Sequence, residues 1–153
     1  MAPGSDMKLD ETNLALLQHL RDGRKSFKEI AASLSIAENT VRARVNQLTR
    51  EGVLEVSGLV DPEKLPGHRQ VLVGIKLNTM HLVKKGEEFS RLRGVVSVCV
   101  VTGRYDLILT VLLNEQLDLL KFYTEEVSRV SEVRSAETFV VYKGYNARVP
   151  YVL

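Results

Sequence analysis

Cysteine occurs once in the 153 residues, at Cys99. One thiol cannot close an internal disulfide, and no Cys/His grouping has zinc-site spacing. No metal or cofactor is therefore expected. Cys99 lies in the apolar run 95–101 and reads as a small buried core residue. Long hydrophobic runs are also missing: none approaches the ~18 residues a membrane span needs. The N-terminus lacks the basic-then-apolar layout of a secretory leader, so a cytoplasmic protein is the default expectation. Charge of one sign is not in large excess. Lys and Arg number 21 against 19 Asp and Glu, a net charge of +2, so contact with a polyanion must come from local clustering. Catalytic signatures are absent as well. His19, His68 and His81 stand far apart in unrelated settings, and there is no nucleophile elbow, P-loop or dinucleotide fingerprint. Glu87-Glu88 and Glu125-Glu126 are neighbours on helical stretches, where adjacent side chains diverge, so a non-enzyme is expected.

What is present is a globular composition, 44% hydrophobic and 26% charged. The length suits one ordinary domain or two small ones. Met1–Asp6 reads as a leader left by expression, with Met7 as the natural start. A first helix is expected from Asp10 to Arg21, capped by Asp10 and carrying Leu14, Leu17 and Leu20 at near-helical spacing. Ser26 followed by Glu29 forms a capping box for a second helix, whose apolar face is Phe27, Ile30, Ala31 and Leu34. After the break Ser35-Ile36-Ala37, a third helix runs from Glu38 to Glu51 with Val41, Val45 and Leu48 inward, and it stops at Gly52. Three short helices joined this tightly predict a trihelical helix-turn-helix unit. Val53–Val60 is a β-like run that would make it winged, and Asp61–Gly67, dense in proline and glycine, reads as a hinge.

The second half changes character. Strands are expected at 71–77, 95–102, 105–113 and 137–143, with helices at 82–92 and 115–130 between them. Leu119, Leu120, Tyr123, Val127 and Val130 should face inward on the longer helix, and Gly103-Arg104 should turn a hairpin. The order β-α-β-β-α-β is the ferredoxin-like pattern, so the fold class is α+β: a winged helix-turn-helix domain followed by a ferredoxin-like domain. Strands 71–77 and 95–101 are apolar on both sides, which implies that a second subunit covers the open sheet face.

The third helix carries the chemistry for DNA. Opposite its buried stripe lie Asn39, Ala43, Asn46, Gln47 and Arg50, with Thr40, Arg42 and Arg44 on the flanks. Asn and Gln pair with adenine edges and Arg with guanine or phosphate, while a small residue such as Ala43 permits close approach to a major groove. Residues 21–50 hold seven basic side chains against Asp22, Glu29 and Glu38, a modest excess suited to phosphate.

These pieces, in order, resemble the Lrp/AsnC (feast/famine) regulators. The segment Thr40-Val41-Arg42-Ala43-Arg44-Val45-Asn46-Gln47-Leu48, followed by Gly52-Val53-Leu54, is similar to that family's recognition helix. Asp61–Leu65 with Gly67 resembles its hinge, Thr102-Gly103-Arg104-Tyr105-Asp106-Leu107 its central "TGxyDl" signature, and Ala136–Val141 its last strand. The resemblance spans Lys8 to about Lys143. It departs at Ser35-Ile36-Ala37, where the family often has Gly-Leu-Ser, because Ala37 offers no side-chain oxygen as a cap. The resemblance implies a DNA-binding domain at 8–60, a linker at 61–68 and a ligand-sensing and oligomerising domain at 69–143; the tail at 144–153, with Tyr145, Tyr151 and Val152, lies outside the shared pattern and is expected to pack on a neighbouring subunit. The resemblance also implies dimers that assemble to octamers on double-stranded DNA, and a small effector, typically an amino acid, bound between dimers near the hairpin. The candidate effector residues are Thr102, Gly103, Arg104, Tyr105, Asp106, Glu137 and Thr138. Amides near Gly103 suit a carboxylate, Asp106 and Glu137 suit an ammonium, and Thr138 offers a hydroxyl. Asp106 reads equally as a turn-fixing carboxylate, Gly103 as a plain hairpin glycine and Thr138 as an ordinary strand residue. Two alternatives stay open. One is a sirohaem decarboxylase-like enzyme using His81, Arg91, Arg93, Arg104 and Arg148; the other is a ligand-independent architectural DNA-binding protein.

Overall fold

A computed structural model describes residues 9–153. The leader reading at Met1–Asp6 and the start at Met7 lie outside the described residues. The chain divides into two compact units, one ending at Ser57 and the other running from Gly58 to Leu153. Residues 58–68, expected to finish the first domain and form a linker, belong to the second unit.

The first unit is three helices: α1 (Glu11–Leu20), α2 (Phe27–Leu34) and α3 (Glu38–Arg50). Asp10 caps α1 by accepting from the Asn13 amide at 2.7 Å. Ser26 and Glu29 form the expected capping box. Leu16, Ile30, Ala31, Val41 and Val45 make the core, with Phe27, Leu34 and Leu54 packed against it. The β-like run at 53–60 is a strand only at Leu59–Val60. Its start is held by the end of α3: Gly52 turns left-handed, and the Val53 and Leu54 amides both bond back to the Leu48 carbonyl. Those amides satisfy the helix's terminal carbonyl and are not available to a sheet.

The second unit begins with β1 (Leu59–Val60) and a 3-10 turn at Pro62–Lys64. β2 (Arg69–Leu77), α4 (Leu82–Ser90), β3 (Val95–Val100), β4 (Leu107–Leu113), α5 (Leu119–Lys121) and β5 (Val133–Val140) follow. The four long strands form an antiparallel sheet in the order β3-β4-β2-β5, the ferredoxin-like arrangement. β6 (Val149–Pro150) returns to pair with β1, so the tail folds onto its own chain. Val71, Val73, Ile75 and Leu77 of β2 and Leu107, Leu109, Val111 and Leu113 of β4 face the helices, where Phe89, Phe122, Val127 and Val130 meet them.

The structure corrects three further expectations. Cys99 is exposed, not buried. A register shift between Val95 and Ser97 is the reason: Val95 pairs with Val111, but Ser97 pairs with Thr110, so parity flips and Val98 turns inward while Cys99 turns outward. The helix expected from 115 starts at Leu119. Asn114 folds its side chain onto the Gln116 and Leu117 amides, and Asp118 becomes the cap. From there α5 widens into a π turn at Phe122–Glu126 and tightens into a 3-10 turn at Val127–Arg129. Leu120 is consequently 72% exposed, and Leu117 and Phe122 are buried instead. Finally, β5 spans Val133–Val140 where 137–143 was expected, because its pairing to β2 runs from Leu77 opposite Val133 to Val71 opposite Val140.

Candidate functional site

The break between α2 and α3 is made by Ser35, which adopts a left-handed conformation at φ 54°, and by Ile36, whose amide bonds to the Ala31 carbonyl. Ile36 packs on the core and fixes the angle at which the chain leaves α2. Ala37 precedes α3 and provides no side-chain cap, as its methyl group dictates. Along α3, Val41, Val45 and Leu48 are buried. Asn39, Thr40, Arg42, Ala43, Asn46, Gln47 and Arg50 are exposed. Arg42 is held along the helix by Glu38 at 2.9 Å and stacks over the Phe27 ring at 5.3 Å.

Arg44 differs from the other residues of that face. It is half-buried, and its Nη1 donates to both carboxylate oxygens of Asp10, at 2.7 and 2.9 Å, and to Asn13 Oδ1 at 2.9 Å. It ties α3 to the N-terminus of α1 and so fixes the setting of the exposed face of α3. The Arg44 guanidinium, followed by the Asn13 amide, holds the Asp10 carboxyl below the usual carboxylate range. A depressed carboxyl contributes stability above its ordinary pKa and loses it as pH falls through the depressed value. Asp10→Asn and Arg44→Gln should each lower the melting temperature by a few degrees at neutral pH. The double variant should fall no further than either single one, and the difference from native protein should shrink in acid. Thermal melts at pH 7 and pH 3 check this; additive losses would separate the two residues.

The second cluster lies at the turn between β3 and β4. The Val101 amide bonds to the Asp106 carbonyl and the Asp106 amide to the Ile75 carbonyl, which pins the hairpin to β2. The Asp106 carboxylate is fully engaged: Oδ1 takes the Lys76 ammonium at 2.7 Å and Oδ2 the Leu77 amide at 2.8 Å. Lys76 first, then that amide, lowers its pKa. Gly103 has φ 118°, with open space where a side chain would project. Thr102 and Arg104 are exposed beside it. Arg104 and Tyr105 converge on Glu137, Arg104 at 3.0 Å and Tyr105 through a short hydroxyl–carboxylate bond, and the Arg104 guanidinium stacks on the Tyr105 ring. That bond, with partial burial, pushes the Tyr105 hydroxyl pKa up. Both contacts fall on Glu137 Oε2, and Oε1 has no protein donor among the described residues. Thr138 points the other way, to the helix side, where it bonds to the Tyr123 hydroxyl at 2.6 Å.

Sequence reasoning missed Gly74, on which this cluster rests. A Cβ there would stand 2.7–2.8 Å from the Tyr105 ring atoms, so the ring lies flat on glycine backbone, with Phe139 edge-on at 6.0 Å. An isolated glycine inside an apolar strand was the available signal, since it marks close approach. The residues of the decarboxylase alternative are not gathered. His81 precedes α4 and Arg91 follows it, so the nine-residue helix separates them, while Arg104 lies in the hairpin and Arg148 in the tail.

The family model for the AsnC-type helix-turn-helix domain matches residues 9–49, which hold α1, α2 and α3 up to its last residue, and that for the Lrp/AsnC ligand-binding domain matches residues 70–150. The chain belongs to the Lrp/AsnC family. An HTH-type transcriptional regulator of Pyrococcus abyssi is 32% identical over 143 residues, covering 92% of this chain and 90% of that one. Among solved structures, PH0061 superposes with a TM-score of 0.77 at 25% identity, covering 90% of this chain and 95% of that one. The Neisseria meningitidis regulator NMB0573, in complex with L-Met, superposes with a TM-score of 0.70 at 19% identity, covering 95% and 96%. As a member of the Lrp/AsnC family, the chain is a DNA-binding transcriptional regulator with a ligand-binding domain. The hairpin cluster lies inside that domain's matched span. Nothing in these likenesses supports the decarboxylase or architectural alternatives. No helix among the described residues is long and apolar enough to cross a membrane.

Proposed function

We propose that this regulator reads a specific, roughly two-fold symmetric DNA site with α3 and responds to an amino acid bound at the β3–β4 hairpin. It acts in the cytoplasm and without catalysis. The carrying observation is the outer face of α3, where Asn39, Asn46, Gln47 and Arg50 are exposed around Ala43 with their backbone fixed by a packed trihelical core. Asn46 and Gln47 face base edges, Thr40, Arg42 and Arg50 meet edges or phosphates, and Arg44 positions the helix. At the hairpin, Arg104 and the amides near Gly103 receive the effector carboxylate, and Glu137 Oε1 receives its ammonium. Asp106 fixes the turn, and Thr138 steadies β5 from the helix side through Tyr123. The L-Met complex of the Neisseria protein supports an amino acid as the class of ligand.

Ligand-induced thermal shift across the common amino acids, followed by calorimetric titration of native protein and Gly103→Val, tests this reading. The variant should fold and bind DNA but lose the ligand at least about tenfold, because a β-branched residue resists φ 118° and fills the open approach. Equal affinity would place the effector elsewhere.

The open sheet face supports a homodimer that assembles further, to an octamer. It carries half-buried Leu72 and Ile108 and exposed Cys99 and Phe139, in a unit whose core is complete on the other side. Light scattering should find a dimer or a multiple of it. A stable, soluble monomer at micromolar concentration would overturn sheet pairing.

A further inference from the structure

A cavity of about 210 Å³ opens in the second unit, apart from the hairpin, between the 3-10 turn, the start of β2 and the strap that leads from β5 into β6. The strap is clasped to the turn: Lys143 meets Glu63 at 2.6 Å, the Gly144 amide donates to the same carboxylate at 2.7 Å, and β6 pairs with β1. Glu63 is thereby occupied, and Lys143 and the Gly144 amide hold its carboxyl below the usual range. Asp61 also lines the cavity; its Oδ1 accepts from the Glu63 amide, and among the described residues no hydrogen bond reaches its Oδ2. Arg69 and Arg148 line the cavity too, and among the described residues neither is paired with a carboxylate. Gln70 and Asn146 complete the lining. With Glu63 neutralised by Lys143, the lining residues include two exposed arginines against one aspartate, an excess of one positive charge.

We propose that this cavity is a second small-molecule site, which takes a small organic carboxylate between Arg69 and Arg148. The planar fork of a guanidinium suits a carboxylate bidentately. The volume is below the ~300–1,000 Å³ of drug-sized pockets and admits an acid of amino-acid size. Asp61 Oδ2 is placed to take an ammonium if the acid carries one. An occupant bridges the strap to the 3-10 turn that follows β1, so binding tightens the clasp around β1 and β6.

The test is titration of the full chain with pyruvate and, separately, with L-alanine, which share a carboxylate and differ in the ammonium. Backbone amide resonances and hydrogen exchange at Gly144 report the result. Resonances of 61–70 and 141–148 should shift, and at ten times Kd the Gly144 amide should exchange about tenfold more slowly. Arg69→Gln and Arg148→Gln should each weaken binding at least about tenfold with the native melting temperature kept, while Gly103→Val should leave it unchanged. Binding of both acids supports recognition through the carboxylate, and binding of L-alanine alone adds the Asp61 contact. Absence of shifts with either acid, shifts confined to the hairpin, or native affinity in both arginine variants would overturn the proposal. Loss of response in Gly103→Val at the hairpin alone would bear on the effector reading and leave this one standing.

Discussion

The double variant Asn46→Ala, Gln47→Ala should lose at least about 30-fold of its discrimination between cognate and scrambled DNA, and less than about threefold of its affinity for scrambled DNA. Each bidentate amide–base pair is worth about 1–3 kcal/mol against the wrong base, so removing two costs about 2 kcal/mol or more. The exposed arginines Arg42 and Arg50 remain, and phosphate contacts carry most of the sequence-independent affinity. The fold should not change, because both side chains are exposed and the helix core of Val41, Val45 and Leu48 is untouched. Alanine is also the better helix former. Fluorescence anisotropy against a duplex selected from random sequence and against its scramble measures both numbers. Equal losses on the two duplexes would make these residues general contacts and move recognition to another part of the surface.

Gly74→Ala should destabilise the second unit and abolish the effector response together. Two effects oppose each other. Replacing a strand glycine lowers the entropy cost of folding by roughly 0.5–1 kcal/mol. The new methyl, however, would stand 2.7–2.8 Å from three atoms of the Tyr105 ring, and overpacking of that kind costs about 1–3 kcal/mol. The clash wins. The ring must lift off β2, which breaks its bond to Glu137 and its edge contact with Phe139 and removes the platform under Arg104. Tyr105→Phe separates the two roles, since it keeps the ring on Gly74 and deletes only the hydroxyl. It should fold normally and weaken effector binding. Thermal melts with and without the amino acid that stabilises native protein check both variants; a native melt and native ligand shift in Gly74→Ala would remove the ring from the site.

The elements legible in the sequence were those set by local rules. The Ser26–Glu29 capping box, the stop at Gly52 and the spacing of Val41, Val45 and Leu48 each involve residues within a turn or two, and the structure contains all of them. The order of the second unit was legible because its strands are separate apolar runs. Most of what escaped depends on partners distant in sequence. Arg44 looks like any arginine on a helix face; its role is fixed by Asp10, 34 residues away. Cys99 follows the inward alternation until the bulge after Val95 reverses it, and a bulge is set by the neighbouring strand. Leu120 fits a helical stripe begun at 115, but Asn114 and Asp118 delay the start and a π turn changes the phase. The partition of the effector candidates was invisible for the same reason. Glu137 and Thr138 are adjacent, so a strand sends them to opposite faces, and only the positions of Tyr105 and Tyr123 show that Glu137 is the one that shares a face with the hairpin.

The most direct test of a ligand-responsive, sequence-reading regulator is equilibrium anisotropy of the native full chain at physiological salt. Binding is measured on the selected duplex and on its scramble, each with and without the amino acid that shifts the melting temperature. The predicted result is a selected site bound at least about 10³-fold more tightly than the scramble. The effector should change affinity for the selected duplex by about 5- to 150-fold, the usual range of allosteric coupling. Equal affinity for the two duplexes, with no change on adding any amino acid, would contradict the account.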